Sequence, residues 1–214
     1  DGTISWQDVN DELFNLYGDE KSPEIERKYV NRELSYKKAI SRHYQRIRIT
    51  EEQFKEFVYN KIELDPYFKP FYQKVIEKEF PFAIVSSGFE NYIELLFQRE
   101  GIQFKKEMLY ANRLLFNSDK ITPVFADDNE DCPKNISACG NCKYNIIKKY
   151  RKKGDYLIYI GDGHTDFCAA EEVDLLFAKK GCSLYKHCQA YDIDNIGFKD
   201  YGQISEYLKK DGLI

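Results

Sequence analysis

The sequence lacks any apolar stretch near the roughly 20 residues that a membrane-spanning helix needs, so no membrane partner is expected. Its opening residues, "DGTISWQDVN", have neither the basic start nor the apolar run of a secretory leader. A cytoplasmic location is the expectation. There is no basic excess either. Lys and Arg number 32 against 36 Asp and Glu, a formal net charge of −4, whereas a nucleic-acid binder gathers positive charge on its binding face. No nucleic acid is expected as a partner. The chain has no internal repeat and no low-complexity segment. The dense cysteine pattern of a small disulfide scaffold is absent too. Six cysteines in 214 residues, Cys132, Cys139, Cys142, Cys168, Cys182 and Cys188, read as reduced thiols.

What is present is an alternation of strands and helices. "FAIVSS" (82–87) and "YLIYIG" (156–161) are short, apolar and rich in β-branched or aromatic residues, the pattern of buried strands. "DLLFAKK" (174–180) reads as a further strand. Apolar residues recurring at three and four predict helices over 66–79, 89–100 and 141–153, with a closing helix over 204–212. Residues 107–128 read as a strand and hairpin turning at "NSDK". Residues 8–64 are polar, aromatic and helical in pattern, an inserted helical module. The alternation points to an α/β fold with a parallel sheet covered on both faces. In such sheets ligands bind at the carboxyl ends of the strands, where "SSG" and "GDGHTD" fall.

In "GDGHTD" the glycines beside Asp162 allow a close approach to a ligand. Asp166 lies about one helical turn on, so both carboxylates can face one spot. Two such acids suit Mg2+, a hard cation that takes oxygen ligands together with phosphate and water. They equally suit a turn residue and a helix-start residue offsetting the dipole. In "VSSGFE", Ser86, Ser87 and Gly88 follow a strand and precede a helix, where a hydroxyl and backbone N–H groups can meet a phosphate. A simple N-cap serine is the other reading. Lys143 stands near a helix start, able to neutralise a phosphate or to lie on the surface.

The order of these pieces carries more than each alone. "DGTIS", a helical insert, "IVSSGF", Lys143 and "GDGHTD" together resemble the haloacid dehalogenase-like phosphatases, in the phosphoserine-phosphatase-type branch with a helical cap. "LDPYFKPF", "IVSSGFENYIE" and "CGNCK" further resemble the sulfur-salvage phosphatases acting on a methylthio-ketopentenyl phosphate. The resemblance implies a Rossmann-like, doubly wound core over 1–8 and 71–214, with residues 9–70 as the cap. It implies Mg2+-dependent hydrolysis of a small phosphorylated metabolite through an aspartyl-phosphate. Asp1 matches the second aspartate of the family's first motif, the general acid and base, whose backbone carbonyl faces the metal. The nucleophilic aspartate is expected two residues before Asp1, ahead of this sequence. Asp162 and Asp166 are the implied metal residues, and Ser86 and Lys143 the implied holders of the transferring phosphoryl. Gly2, Thr3, Ser87 and Gly88 join them as phosphate-binding positions. The candidate substrates are the sulfur-salvage enol phosphate, phosphoserine and a phosphorylated amine.

Other readings stay open at this stage. A phosphotransferase of the same fold and a catalytically inactive homologue that binds a phosphorylated ligand share these motifs. The assembly is a monomer or a homodimer. Glu33, Arg46 and Arg48 are charged cap residues that would read a head group or lie solvated. Cys132, Cys139 and Cys142 have the spacing C-x6-C-x2-C, short of the four ligands of a structural zinc site unless His164 or Cys168 joins them. His164 reads as a helix-entry residue or as a substrate contact.

Overall fold

The computed structural model describes residues 1–126 and 139–214. In chain order the helices are α1 Val9–Tyr17, α2 Ser22–Val30, α3 Tyr36–Tyr44, α4 Glu51–Lys61 and α5 Phe68–Glu77. Strand β1 (Ile84–Phe89) leads into α6 (Glu90–Glu100), followed by β2 (Leu109–Asn117) and β3 (Lys120–Val124). Then come α7 (Lys143–Tyr150), β4 (Ile158–Gly161), α8 (Phe167–Ala170), β5 (Leu175–Lys179), α9 (Ser183–Tyr191), β6 (Ile196–Phe198) and α10 (Tyr201–Lys210). Among the described residues, no helix is long and apolar enough to cross a membrane.

Most expected elements appear with trimmed ends, but the closing helix starts earlier than expected, at Tyr201. Pro66 and Pro70 shape α5: the helix starts after the first and carries the second in its opening turn, where a missing N–H breaks no helical bond. The 82–87 strand shifts to Ile84–Phe89 because the chain continues through Gly88 before the helix begins. β6, only three residues long, is an element that periodicity did not reveal.

The described residues form two compact units. One comprises Asp1, 7–63 and the described part of 84–142. Side chains cap the starts of α1, α3 and α4. Asp8 caps α1 by accepting from the Asp11 N–H at 3.0 Å. Thr50 and Gln53 form a reciprocal capping box on α4. β1 pairs in parallel with β2, and β2 pairs with β3 antiparallel through a turn at Ser118 and Asp119. Tyr44, Phe54, Phe89 and Tyr92 lie almost fully buried in its core. Tyr44 meets Phe89 edge-on at 5.3 Å.

His43 on α3 is 4% exposed and stacks on Phe14 with ring centroids 4.2 Å apart. Among the described residues, neither ring nitrogen has a hydrogen-bond partner. Burial pushes its pKa down from 6.5 to about 4, with Asp19 offsetting only part. The unfolded chain therefore takes this proton first. The stability due to the neutral ring is complete above pH 6.5 and is lost as the pH falls toward 4. The expected loss at pH 4 is about 3 kcal/mol. Urea unfolding at pH 7 and at pH 4 measures it, and His43→Phe, which keeps the stack, should remove most of this pH dependence.

The other unit comprises 2–6, 64–83 and 143–214. Its sheet is parallel, in the order β4-β5-β6, with Gly161 opposite Ala178 and Lys179 opposite Phe198. Phe177, Phe198, Leu184, Phe68 and Ile204 fill its core. Asp65 ties three parts of this unit together. Its N–H donates to the Ile4 carbonyl at 2.9 Å, and its carboxylate accepts from the N–H groups of Tyr67 and Tyr201, each at 2.9 Å.

Candidate active site

In the second unit the polar cluster forms where β4 ends. Its strand is apolar up to Gly161, and the chain then turns through Asp162 and Gly163 into a single turn over His164–Asp166. The Asp162 carbonyl accepts from the Leu184 N–H at 2.8 Å and the Ser183 hydroxyl at 3.4 Å, at the start of α9. The Asp162 carboxylate accepts from the Thr3 hydroxyl on Oδ1. Asp166 is 1% exposed. Its Oδ1 accepts from Lys143 Nζ and from the Tyr159 hydroxyl, the latter at 2.6 Å. Its Oδ2 accepts from the N–H groups of Asp162 at 3.0 Å and Gly163 at 2.8 Å.

Two glycines are needed here for space. A Cβ on Gly161 would stand 2.8 Å from the Asp166 carboxyl, and one on Gly2 would stand 2.5 Å from Asp162 Oδ2. Gly2 also has a φ of +61°, the left-handed region that glycine enters without strain. Gly163 is extended, so its place in the motif reflects no turn of unusual hand.

The two carboxylates titrate apart. Burial, then the neighbouring Asp166 charge, pushes Asp162 above the usual carboxylate value. Burial pushes Asp166 upward as well, but the Lys143 ammonium, the Tyr159 hydroxyl and the Gly163 N–H outweigh it and hold Asp166 below that value. Asp166 is thus a saturated anion. Among the described residues, Asp162 Oδ2 has no hydrogen-bond donor, and the carboxyl holds a proton more readily than usual. This oxygen-only pair fits a hard divalent ion.

In the first unit two more predicted residues have built surroundings. The Asp1 carboxylate accepts from the Tyr92 hydroxyl and, at 3.4 Å each, from Asn10 Nδ2 and the Val9 N–H. Tyr44 donates to Asn10 Oδ1 at 2.8 Å and so orients that amide. Burial raises the Tyr92 pKa well above 10.0, keeping its hydroxyl a donor. Gly88 leaves room for this group, since a Cβ there would overlap the Tyr92 hydroxyl.

Ser86, Ser87 and Gly88 sit where the β1–β2 register breaks, between Val85 and Phe89. Side chains take over the freed carbonyls. Asn141 Nδ2 donates to the Ser86 carbonyl and to the Tyr110 carbonyl, both at 2.8 Å. The Ser87 carbonyl accepts from Tyr36 at 2.9 Å and from Asn112 Nδ2 at 2.7 Å. Ser86 Oγ accepts from the Gly88 N–H at 3.0 Å, which leaves its own hydrogen available to an anion. The Ser87 hydroxyl is buried, with no hydrogen-bond partner among the described residues.

The remaining candidates lie in local contacts. Arg46 pairs with Asp19 at 2.6 Å, Glu33 lies 3.6 Å from Arg27, and Arg48 donates to the Gln45 and Ile47 carbonyls. His164 is tilted against Phe167. Cys132 lies outside the described residues. Cys139 and Cys142 are half-buried, and Cys168 is buried in α8. Among the described residues, no three His, Cys, Asp or Glu side chains converge to hold a metal. Sequence reading missed Asn10, Tyr92, Asn112, Asn141 and Tyr159. Only Tyr159 carried a signal, a hydroxyl inside an apolar strand two residues before the glycine.

The model of a family described as "Putative Phosphatase" matches residues 1–199 of this chain. Pdp3-interacting factor 1 of Schizosaccharomyces pombe is 28% identical over 222 residues, covering 98% of this chain and 92% of that protein. A 2-hydroxy-3-keto-5-methylthiopentenyl-1-phosphate phosphatase of Bacillus cereus is 29% identical over 210 residues, covering 98% and 93%. A substrate-bound phosphoserine phosphatase structure aligns with a TM-score of 0.70 at 19% identity, over 97% of this chain and 94% of that one. The phosphoserine phosphatase of T. onnurineus aligns with a TM-score of 0.67 at 20% identity, over 98% and 90%. The likeness to these structures is one of fold, the Rossmann-like α/β class expected from the sequence.

Proposed function

Because the chain belongs to this phosphatase family, we propose that it hydrolyses a small phosphomonoester with Mg2+, through an aspartyl-phosphate. The observation that carries this reading is the cluster at the end of β4. A Thr3-bound Asp162, whose Oδ2 has no donor among the described residues, stands beside an Asp166 saturated by Lys143, Tyr159 and two N–H groups.

In this reading Asp162 and Asp166 would hold the metal, and the family pattern adds the Asp1 carbonyl as a further oxygen. Mg2+, when bound, offsets the repulsion between an anionic phosphate and an attacking carboxylate. The attacking aspartate is the one that the family pattern puts two residues before Asp1. The Asp1 carboxylate gives a proton to the leaving oxygen and later takes one from water. Tyr92 and Asn10 hold that carboxylate in one orientation meanwhile. Ser86 offers its hydroxyl hydrogen, and Lys143 its ammonium, to the transferring phosphoryl oxygens. Gly2, Thr3, Ser87 and Gly88 complete the phosphate-binding positions, and the helical stretch 9–70 acts as the cap that selects the substrate. The relatives' names favour two candidates, the methylthiopentenyl enol phosphate and phosphoserine.

The test is phosphate release, by the protein carrying the aspartate two residues before Asp1, from p-nitrophenyl phosphate, phosphoserine, phosphocholine and the enol phosphate. Release that stops with EDTA and returns with Mg2+ is the expected result. No release from any of the four with Mg2+ present would overturn the reading.

A further inference from the structure

We infer that Lys179 is a positioning residue, one that holds the Gly2–Trp6 segment so that Thr3 stays on Asp162. β5 lies beside β4 in the parallel sheet, with Gly161 opposite Ala178. The next residue on each strand is therefore Asp162 on one and Lys179 on the other, at the same carboxyl edge. Lys179 Nζ donates to the Gly2 carbonyl, lies 3.5 Å from the Ser5 carbonyl, and stands 5.0 Å over the Trp6 ring. One side chain thus grips this five-residue segment at three points.

The far end of the segment is tied by a bridge from Ser5 to Leu64 and by the Asp65 N–H on the Ile4 carbonyl. Neither reaches Gly2, whose left-handed turn leaves its carbonyl outside any ladder. An ammonium suits this place because it carries three donors and no acceptor. It gathers two carbonyl oxygens and an aromatic face, all of them electron-rich. With Gly2 held, Thr3 is fixed one residue on, and its hydroxyl donates to Asp162. Lys179 acts on the carboxylate through this turn and touches no reacting atom.

The kinetic part of this inference rests on the phosphatase reading, so the experiment has a second readout. Trp6 is the only tryptophan in the chain, and its fluorescence reports on the segment directly. In the intact protein, with p-nitrophenyl phosphate and Mg2+, Lys179→Met should lower kcat about 30-fold and leave KM within about threefold, the signature of displaced reacting groups rather than lost substrate contacts. Acrylamide quenching of Trp6 should about double as the ring loses its cation. Lys179→Arg, which keeps the charge and offers several donors, should return kcat and quenching to within about threefold of the unsubstituted protein.

A Lys179→Met protein with unchanged kcat, or with unchanged Trp6 quenching, overturns the inference. So does a Lys179→Arg protein as impaired as Lys179→Met. If Lys179→Met fails to fold, Lys179→Gln, with a neutral donor, gives the same two readouts. If the unsubstituted protein hydrolyses no ester, the phosphatase reading falls and the quenching series alone decides the role of Lys179.

Discussion

Asp162→Asn should cut phosphate release about a thousandfold, roughly 4 kcal/mol of transition-state stabilisation, without weakening the fold. The reason lies in the surroundings of Asp162. Its charge is opposed by burial and by the Asp166 carboxylate, so in the absence of metal an ionised Asp162 strains the folded state. A carboxylate whose pKa is raised on folding costs stability at neutral pH. The neutral amide removes that cost and can still accept from Thr3. The metal-free variant should therefore unfold at the same denaturant concentration as the parent or a higher one. Magnesium should separate the two proteins. An ion that binds only the folded state raises apparent stability by mass action, so Mg2+ should raise the melting temperature of the parent and leave that of Asp162→Asn where it was. Equal Mg2+ shifts in both would remove Asp162 from the metal site.

Lys143→Met should lose both activity and stability. Lys143 and Asp166 form an ion pair with side chains 11% and 1% exposed. Removing one partner leaves the other buried and uncompensated, at a cost of about 3 kcal/mol. The Tyr159 hydroxyl and two N–H groups still bind Asp166, which keeps the cost at the low end. Activity should fall at least about a hundredfold if the ammonium also stabilises the phosphoryl. The double variant Lys143→Met with Asp166→Asn separates the two losses. It should regain most of the stability, measured by urea unfolding, and none of the activity.

The pH dependence of the same pair has a definite sign. In the parent, Asp166 sits below the ordinary 3.8. Its contribution to stability is complete above that value and is lost as the pH falls through the lower, folded-state one. Without Lys143 the main opposing influence on burial is gone. Asp166 then protonates more readily in the folded state, and the stability curve on the acid side should flatten. A Lys143→Met protein with the parent's acid sensitivity would show that the other donors alone hold Asp166 down.

The order of most strands and helices was legible in the sequence, because apolar runs and helical periodicity are local signals. Strand β4 and the loop after it were legible because a short apolar run stops at Gly-Asp-Gly, although Ile158, Tyr159 and Ile160 are half-buried rather than the fully buried run that the pattern suggests. Asp162, Asp166, Lys143 and Ser86 stood out as candidates because their residue types sit at spacings tied to strand ends and a helix start. The β2–β3 hairpin was legible at "NSDK", a local turn signal. Tertiary structure alone decided which groups hold these residues. The donors on Asp166 come from Lys143 and Tyr159, those on Asp1 from Asn10 and Tyr92, and those on the Ser86 and Ser87 carbonyls from Asn141, Tyr36 and Asn112. Most of these lie tens of residues away, and a lone Asn or Tyr carries no periodic signal of its partner. The register break in β1 was equally hidden, since it arises from pairing with β2 and from side chains that replace the missing ladder bonds. Lys179 shows the same limit. In the sequence it is the end of a strand, and only the parallel sheet sets it beside Asp162 and under the first turn of the chain.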